Sequence, residues 1–109
     1  MTKKEGVLSS AIQERIQQVG RNLQLARKRR RKTVKQAAEM IGTSESSVRR
    51  MESGDASVKI ATFFAALEVY QLEDSLRFAE PGDDVIGLTL DKQRLPQRVR
   101  MKKERKFDF

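Results

Sequence analysis

Four side chains between positions 45 and 50 combine hydrogen-bond donors and acceptors at helical spacing. When residues are placed about 100° apart, Glu45, Ser46, Arg49 and Arg50 fall on one side of a helix and Val48 falls on the other. Arginine can donate two hydrogen bonds to one guanine, glutamate can accept one from cytosine, and serine can do either. This face therefore has the chemistry needed to contact base edges in a DNA groove.

A pair of short helices with a tight turn is predicted to position these side chains over residues 33–54. Thr33 and Ser44 suit the N-cap positions of helices over 34–41 and 45–53, and a glycine that tolerates the left-handed conformation follows each helix. In a helix-turn-helix of this kind the second helix lies in the major groove. The pattern therefore favours contact with DNA over catalysis.

The composition removes most catalytic and metal chemistry. The 109 residues include no Cys and no His, which excludes disulfides, Cys/His zinc sites, thiol nucleophiles and histidine acid–base catalysis. No set of catalytic side chains is clustered, so we expect no enzyme activity, no cofactor and no metal. Because no apolar run approaches the ~18 residues of a membrane span and the N-terminus lacks the apolar core of a signal peptide, we expect a cytoplasmic protein with no membrane partner.

Basic residues are concentrated at the two ends of the chain. The net charge is +8, with the excess in residues 1–33 and 92–109, while the middle is acidic overall. Such clustering favours a polyanion partner, and nucleic acid first among them. The alternative is a solvated surface that keeps the protein soluble.

Three further helices complete a predicted all-α domain of five helices. A first helix is expected from a capping box at Ser10 to about residue 30, with Gly20 as a point of interruption. Its apolar stripe either covers the core or forms a coiled-coil contact; the stripe comprises Ile12, Ile16, Val19, Leu23 and Ala26. An apolar helix over 59–69 and a short one over 72–78 follow. The packing residues expected in the former are Ile60, Phe63, Phe64, Leu67 and Val69.

The C-terminal region is predicted to leave the helical pattern. Ile86, Leu88 and Leu90 alternate with other residues, which is typical of a strand, and a lone strand needs a partner. That partner is either the same strand of a second subunit or the surface of its own domain. The predicted organisation is a disordered N-terminus over 1–8, the DNA-binding domain over 9–80, a dimerisation strand over 81–91 and a flexible basic tail over 92–109.

Glu52 is predicted on the inward side of the second helix of the pair, where an unpaired carboxylate would be costly. An arginine late in the first helix is the expected partner. Hydroxyls at the helix starts are expected to bind phosphate oxygens together with unpaired backbone N–H groups. The complete set of predicted phosphate contacts is Thr33, Lys35, Ser44, Ser47, Ser53 and Lys59.

The segment TVKQAAEMIGTSESSVRRMESG resembles the helix-turn-helix of the lambda-repressor/Cro (XRE) family, and the resemblance extends over about residues 19–78. It implies an ion pair between Arg27 and Glu52. One departure is Val34, which stands where a glutamine usually braces the recognition helix. The resemblance implies base contacts by Glu45, Ser46, Arg49 and Arg50, and phosphate contacts by Thr33, Ser44 and Ser47.

A narrower resemblance, to HipB-type antitoxins, rests on the phenylalanine-rich fourth helix and on a tail containing RLPQRVR. It implies a bacterial, nucleoid-associated homodimer that represses its own operon through a palindromic double-stranded DNA operator. It also implies a HipA-type Ser/Thr kinase toxin as partner. Phe107 and Phe109, two aromatic residues in a charged tail, are either anchors for a pocket of that kinase or incidental. The alternatives are an XRE-family transcriptional regulator without a toxin, or mainly a protein-interaction module.

Overall fold

The computed structural model describes residues 7–94, which form α-helices and short 3-10 turns and, within that range, no strand. The chain divides into two compact units, one ending at Leu76 and the other beginning at Arg77. The five helices of the described range are α1 (Ser10–Arg29), α2 (Val34–Ile41), α3 (Glu45–Ser53), α4 (Ile60–Val69) and α5 (Val85–Arg94). The all-α fold class with five helices predicted from the sequence is confirmed, although the fifth helix lies later in the chain than predicted.

Local capping decides where α2 and α3 begin and end. The Thr33 hydroxyl accepts a hydrogen bond from the Gln36 amide, and the Gln36 side chain accepts one from the Thr33 amide, which forms a capping box. Ser44 caps α3 through the Ser47 amide. Gly42 and Gly54 end the two helices at φ of 86° and 83°, a conformation that residues with a Cβ rarely adopt. Both helices have their predicted bounds.

The long helix α1 differs from the prediction at its start and at its middle. Ser9, not Ser10, is the N-cap, and its hydroxyl accepts from the Ile12 amide. The helix continues through Gly20, which is buried against the end of α3. A Cβ at Gly20 would lie 2.6 Å from the carbonyl oxygens of Met51 and Glu52, so the glycine permits a close helix approach rather than interrupting the helix.

The hydrophobic core lies between the C-terminal half of α1, α3 and α4. Large buried side chains include Leu23, Met51, Leu67 and Tyr70, and a second buried cluster joins α2 to Val48 of α3. The N-terminal half of α1 does not cover this core, since Ile12 and Val19 are 45% and 37% exposed, and Ile60 at the start of α4 is 69% exposed, contrary to its predicted packing role.

The predicted short helix over 72–78 is wrong. Gln71 adopts a positive φ of 60° that ends the helical path after α4, and only Glu73–Ser75 form a 3-10 turn.

The strand predicted within 81–91 is also wrong. A 3-10 turn at Pro81–Asp83 leads into α5, and Asp84 accepts a hydrogen bond from the Gly87 amide at 2.8 Å, as an N-cap residue does. Ile86 and Leu90, two apolar positions of the predicted alternation, are also one helical turn apart, so the pattern suits a helix that needs no partner strand.

The predictions for the chain ends concern mostly residues outside this range. Residues 1–6, most of the predicted disordered N-terminus, lie outside the described residues. So do residues 95–109, which include most of the predicted tail and the two phenylalanines proposed as anchors. No helix in the described range is both long enough and apolar enough to span a membrane.

Candidate nucleic-acid interface

The exposed face of α3 carries the predicted base-contacting side chains. Ser46, Arg49 and Arg50 are exposed, and Glu45 is half-buried, while Val48 on the opposite side is fully buried. Ser53 is also exposed and lies on the same face of the helix as Ser46. The structure therefore places the predicted set on one polar surface, which we call the α3 face.

Two of these side chains already bind each other. The Arg49 guanidinium lies 3.3 Å from a Glu45 carboxylate oxygen, and the two side chains are 63% and 44% exposed. An exposed i,i+4 pair of this kind contributes only about 0.3–0.5 kcal/mol. Exchange of this contact for contacts to bases would therefore cost little.

Arg50 is held differently from Arg49. Its guanidinium donates to the Ser47 hydroxyl at 3.1 Å and lies 3.5 Å from the Ser57 hydroxyl in the loop after α3. These contacts direct Arg50 toward that loop. The structure thus separates two adjacent arginines to which the sequence assigned one role, and Arg49 is the one that pairs with Glu45.

The hydroxyls predicted to bind phosphate lie at or near helix ends. Thr33 and Ser44 are both exposed N-cap residues, so their oxygens lie beside backbone N–H groups that α2 and α3 leave unpaired in their first turns. The Ser44 hydroxyl also donates to Ser47, which is half-buried. Ser53 instead lies in the last turn of α3 and donates to the Arg50 carbonyl.

Two lysines predicted as phosphate contacts are also at helix starts. Lys35 is exposed in the first turn of α2. Lys59 is the exposed N-cap residue of α4 and makes no side-chain capping bond. An anion near either start would meet a cation and the positive end of the helix dipole together.

The basic run at the end of α1 has two different uses, which the sequence alone could not separate. Arg30 donates to the carbonyls of Ala26 and Tyr70, at 2.9 and 2.6 Å, and its guanidinium lies 5.5 Å from the centre of the Tyr70 ring. Arg27 is buried in the interior. Arg30 is itself exposed, and the other exposed cations in this run are Lys28, Arg29 and Arg31. Their position immediately before Thr33 adds positive charge beside the predicted phosphate contacts.

Arg27 and Glu52 form a buried, two-bond ion pair. The guanidinium donates to the two carboxylate oxygens at 2.7 and 3.0 Å, and the side chains are only 9% and 5% exposed. A third hydrogen bond joins Arg27 to the Lys32 carbonyl at 2.9 Å. The hydrogen bond to Glu52 raises the pKa of Arg27 above its ordinary value, so the arginine stays charged. The pair therefore fixes α3 to α1 and to the loop that precedes α2.

Two glycines set how closely α1 and α3 approach. Besides Gly20, Gly54 at the end of α3 faces the backbone of Gln17, where a Cβ would lie 2.7 Å from the Gln17 Cα. Sequence patterns identified Gly54 as a helix terminator but gave no sign of either close approach. Together with the ion pair, these contacts determine the orientation of the α3 face.

The loop after α3 is ordered by a local hydrogen-bonded turn. Asp55 accepts from the Ser57 hydroxyl at 2.7 Å and from the Ser57 amide at 2.8 Å, through one carboxylate oxygen. These bonds, the hydroxyl first, lower the pKa of Asp55. The sequence predicts only a loop here, although an Asp two residues before a Ser is a known turn signal.

Comparison with known proteins agrees with this architecture. A family model described as a helix-turn-helix domain matches residues 18–79, which include α2, α3, α4 and most of α1. No curated protein and no solved structure matches the chain. Since the match covers more than half of the sequence and contains the α3 face together with the ion pair that orients it, the chain belongs to the helix-turn-helix domain family.

Proposed function

We propose that this protein is a sequence-specific DNA-binding transcriptional repressor that acts as a homodimer on a palindromic operator. The observation that carries the proposal is the α3 face, a polar surface on the second helix of a helix-turn-helix. In such a dimer, two α3 helices enter successive major grooves about 34–36 Å apart.

Within this proposal the side chains of the α3 face have different roles. Glu45, Ser46 and Arg49 contact base edges, and Arg49 bound to a guanine contributes about 1–3 kcal/mol of discrimination. Arg50, which lies beside Ser57, contacts either bases or the adjacent DNA backbone. The predicted phosphate contacts are Thr33, Lys35, Ser44, Ser47, Ser53 and Lys59. These contacts supply an affinity that falls as salt concentration rises.

Binding to the DNA upstream of the protein's own gene tests the proposal. A fluorescence anisotropy titration compares that DNA with a scrambled sequence of the same length, at several salt concentrations. We expect a clear preference for the upstream DNA, with a protected palindrome in a footprint. Equal affinity for both DNAs at every salt concentration would refute sequence-specific repression.

Arg49→Ala tests the role of the base-contacting face. We expect this variant to lose most of the preference for the operator and to keep its melting temperature, because Arg49 is exposed. Arg94→Ala, which removes the same charge from α5, is the matched control and should leave the preference unchanged. Equal loss in both variants would mean that net charge, rather than base contact, determines binding.

The finer proposal is that the repressor is the antitoxin of a type II toxin–antitoxin system with a HipA-type kinase partner. It is supported by the resemblance of the α4 segment and the tail to HipB-type antitoxins. A gene for a HipA-like kinase beside this one, and a stable complex of the two purified proteins, are the expected findings. Without them, an XRE-family regulator without a toxin is the function that the α3 face supports.

A further inference from the structure

An apolar groove of about 460 Å³ lies on the surface of the helix-turn-helix unit, with the core residue Met51 in its lining. Ile12, Ile16 and Val19 of α1 form one wall. Val58, Ile60 and Phe63, from the loop after α3 and the start of α4, form the other. We call this surface the α1–α4 groove.

The fold does not need the first part of α1 for its core. In the wall formed by α1, Ile12 is 45% exposed and Val19 is 37% exposed, and Ile60 opposite them is 69% exposed. Ile12 and Ile16 also precede the segment that matches the helix-turn-helix family, which begins at residue 18. An extension of α1 thus adds an apolar wall to the family domain and leaves it uncovered.

The two charged residues of the groove are complementary to those of the same groove in a second copy of the chain. Its lining contains one cation, Arg15, and one anion, Asp55. Arg15 has no ion pair or hydrogen bond among the described residues, and both hydrogen bonds from Ser57 to Asp55 use the same carboxylate oxygen, which leaves the other oxygen available. In a two-fold interface, residue i of each copy contacts residue j of the other. Such an interface would therefore form two Arg15–Asp55 pairs across the apolar contact.

We propose that the α1–α4 groove is the interface that joins two copies of this chain. The groove lining is neutral on a chain of net charge +8, so it attracts no polyanion and is a region where two copies can meet with little repulsion. The inference rests on the proposed function in so far as a palindromic operator requires a dimer. It replaces the predicted strand, whose residues form α5, as the source of that dimer.

Sedimentation equilibrium of the full chain, without DNA, tests the interface with two matched variants. Ile12→Glu and Leu25→Glu place the same charge on the same helix at residues that are 45% and 48% exposed, and only Ile12 lines the groove. Position 12 is three residues after the Ser9 N-cap, where a glutamate completes a capping box and strengthens the helix. Loss of the dimer in Ile12→Glu therefore cannot be attributed to an unfolded α1.

We expect the wild-type chain and Leu25→Glu to sediment as dimers, and Ile12→Glu to raise the dimer dissociation constant about 100-fold or more, because two carboxylates enter apolar surface. Arg15→Glu should also weaken the dimer, since it faces Asp55 of the second copy, while Arg21→Glu on the same helix should not. A wild-type monomer would refute the proposal, as expected if another segment of the chain or a different protein fills the groove. Equal dimerisation of all four variants would also refute it.

The same samples separate failure of this inference from failure of the proposed function. If Ile12→Glu remains dimeric and binds the operator with preference, the groove assignment is wrong and the repressor proposal stands. If the dimer depends on the groove but prefers no DNA sequence, the interface stands and the repressor proposal fails.

Discussion

The ion pair between Arg27 and Glu52 provides the sharpest prediction about how this fold holds its DNA-facing helix. Glu52→Gln keeps the shape of the side chain and removes its charge, which leaves the Arg27 cation more than nine-tenths buried without a counter-charge. Loss of one partner of a buried pair typically costs about 3–5 kcal/mol. We expect about 3 kcal/mol here, the lower end, because the amide oxygen can still accept one of the two hydrogen bonds.

A loss of this size is large for a unit of this length. For a domain of 60–100 residues each kcal/mol lowers the melting temperature by roughly 4–8 °C, so the variant should melt roughly 12–24 °C below the wild-type protein. Urea unfolding at neutral pH, followed by circular dichroism, measures the free energy of unfolding directly. Its slope with urea concentration should stay the same, because the folded state remains as compact.

A double variant, Arg27→Met with Glu52→Leu, is the control for this reasoning. Replacement of both charges by apolar side chains of similar volume is often close to neutral in stability. Here the hydrogen bond from Arg27 to the Lys32 carbonyl is also lost, which costs about 1 kcal/mol. The double variant should therefore be more stable than Glu52→Gln. A loss below about 1 kcal/mol in Glu52→Gln would refute the conclusion that the pair is desolvated.

Three further predictions concern two residues of the interior next to this pair. The Tyr70 hydroxyl is fully buried and has no hydrogen-bond partner among the described residues, so Tyr70→Phe should raise the free energy of unfolding by about 1 kcal/mol; a loss of stability would show that the hydroxyl is bonded. Burial raises the pKa of Tyr70 in the folded state. The free energy of unfolding should therefore not depend on Tyr70 ionisation below the unfolded pKa of about 10, and it should fall as the pH rises from there toward the folded pKa. Tyr70→Phe should reduce this fall. Gly20→Ala should cost about 2 kcal/mol or more, because the added Cβ meets the Met51 and Glu52 carbonyls, and Gly82→Ala, where a Cβ meets nothing within 4 Å, should be nearly neutral in the same urea assay.

The helix pair was predictable because its boundaries depend on local chemistry. Thr33 and Ser44 cap helices whose ends are set by Gly42 and Gly54, and each of these contacts lies within a few residues along the chain. The inward position of Glu52 and its need for an arginine also followed from helical geometry. These features require no knowledge of distant contacts.

Other features depend on contacts that sequence patterns do not contain. The alternation of Ile86, Leu88 and Leu90 is compatible with either a strand or a helix, and the Asp84 capping bond decides for the helix. The sequence predicts an interruption of the helix at Gly20. The glycine instead leaves room for the backbone of α3, which lies about 30 residues away in the chain. In the same way, only the tertiary structure shows that Arg30 binds the Tyr70 carbonyl.

The division of the basic run links stability to the proposed DNA affinity. Arg27 binds the Glu52 carboxylate inside the protein, so it cannot also neutralise a phosphate without breaking the ion pair. Arg30 is exposed, but it would have to give up its bonds to the Ala26 and Tyr70 carbonyls to do so. Arg27 also bonds the Lys32 carbonyl, immediately before the Thr33 cap, so disruption of the ion pair would disturb the start of α2 and the orientation of α3 together. Weaker operator binding by Glu52→Gln should therefore follow its loss of folded protein, with an unchanged salt dependence, because no phosphate contact has been removed. By contrast, Lys35→Ala should keep the melting temperature and lower the salt dependence by about one counterion.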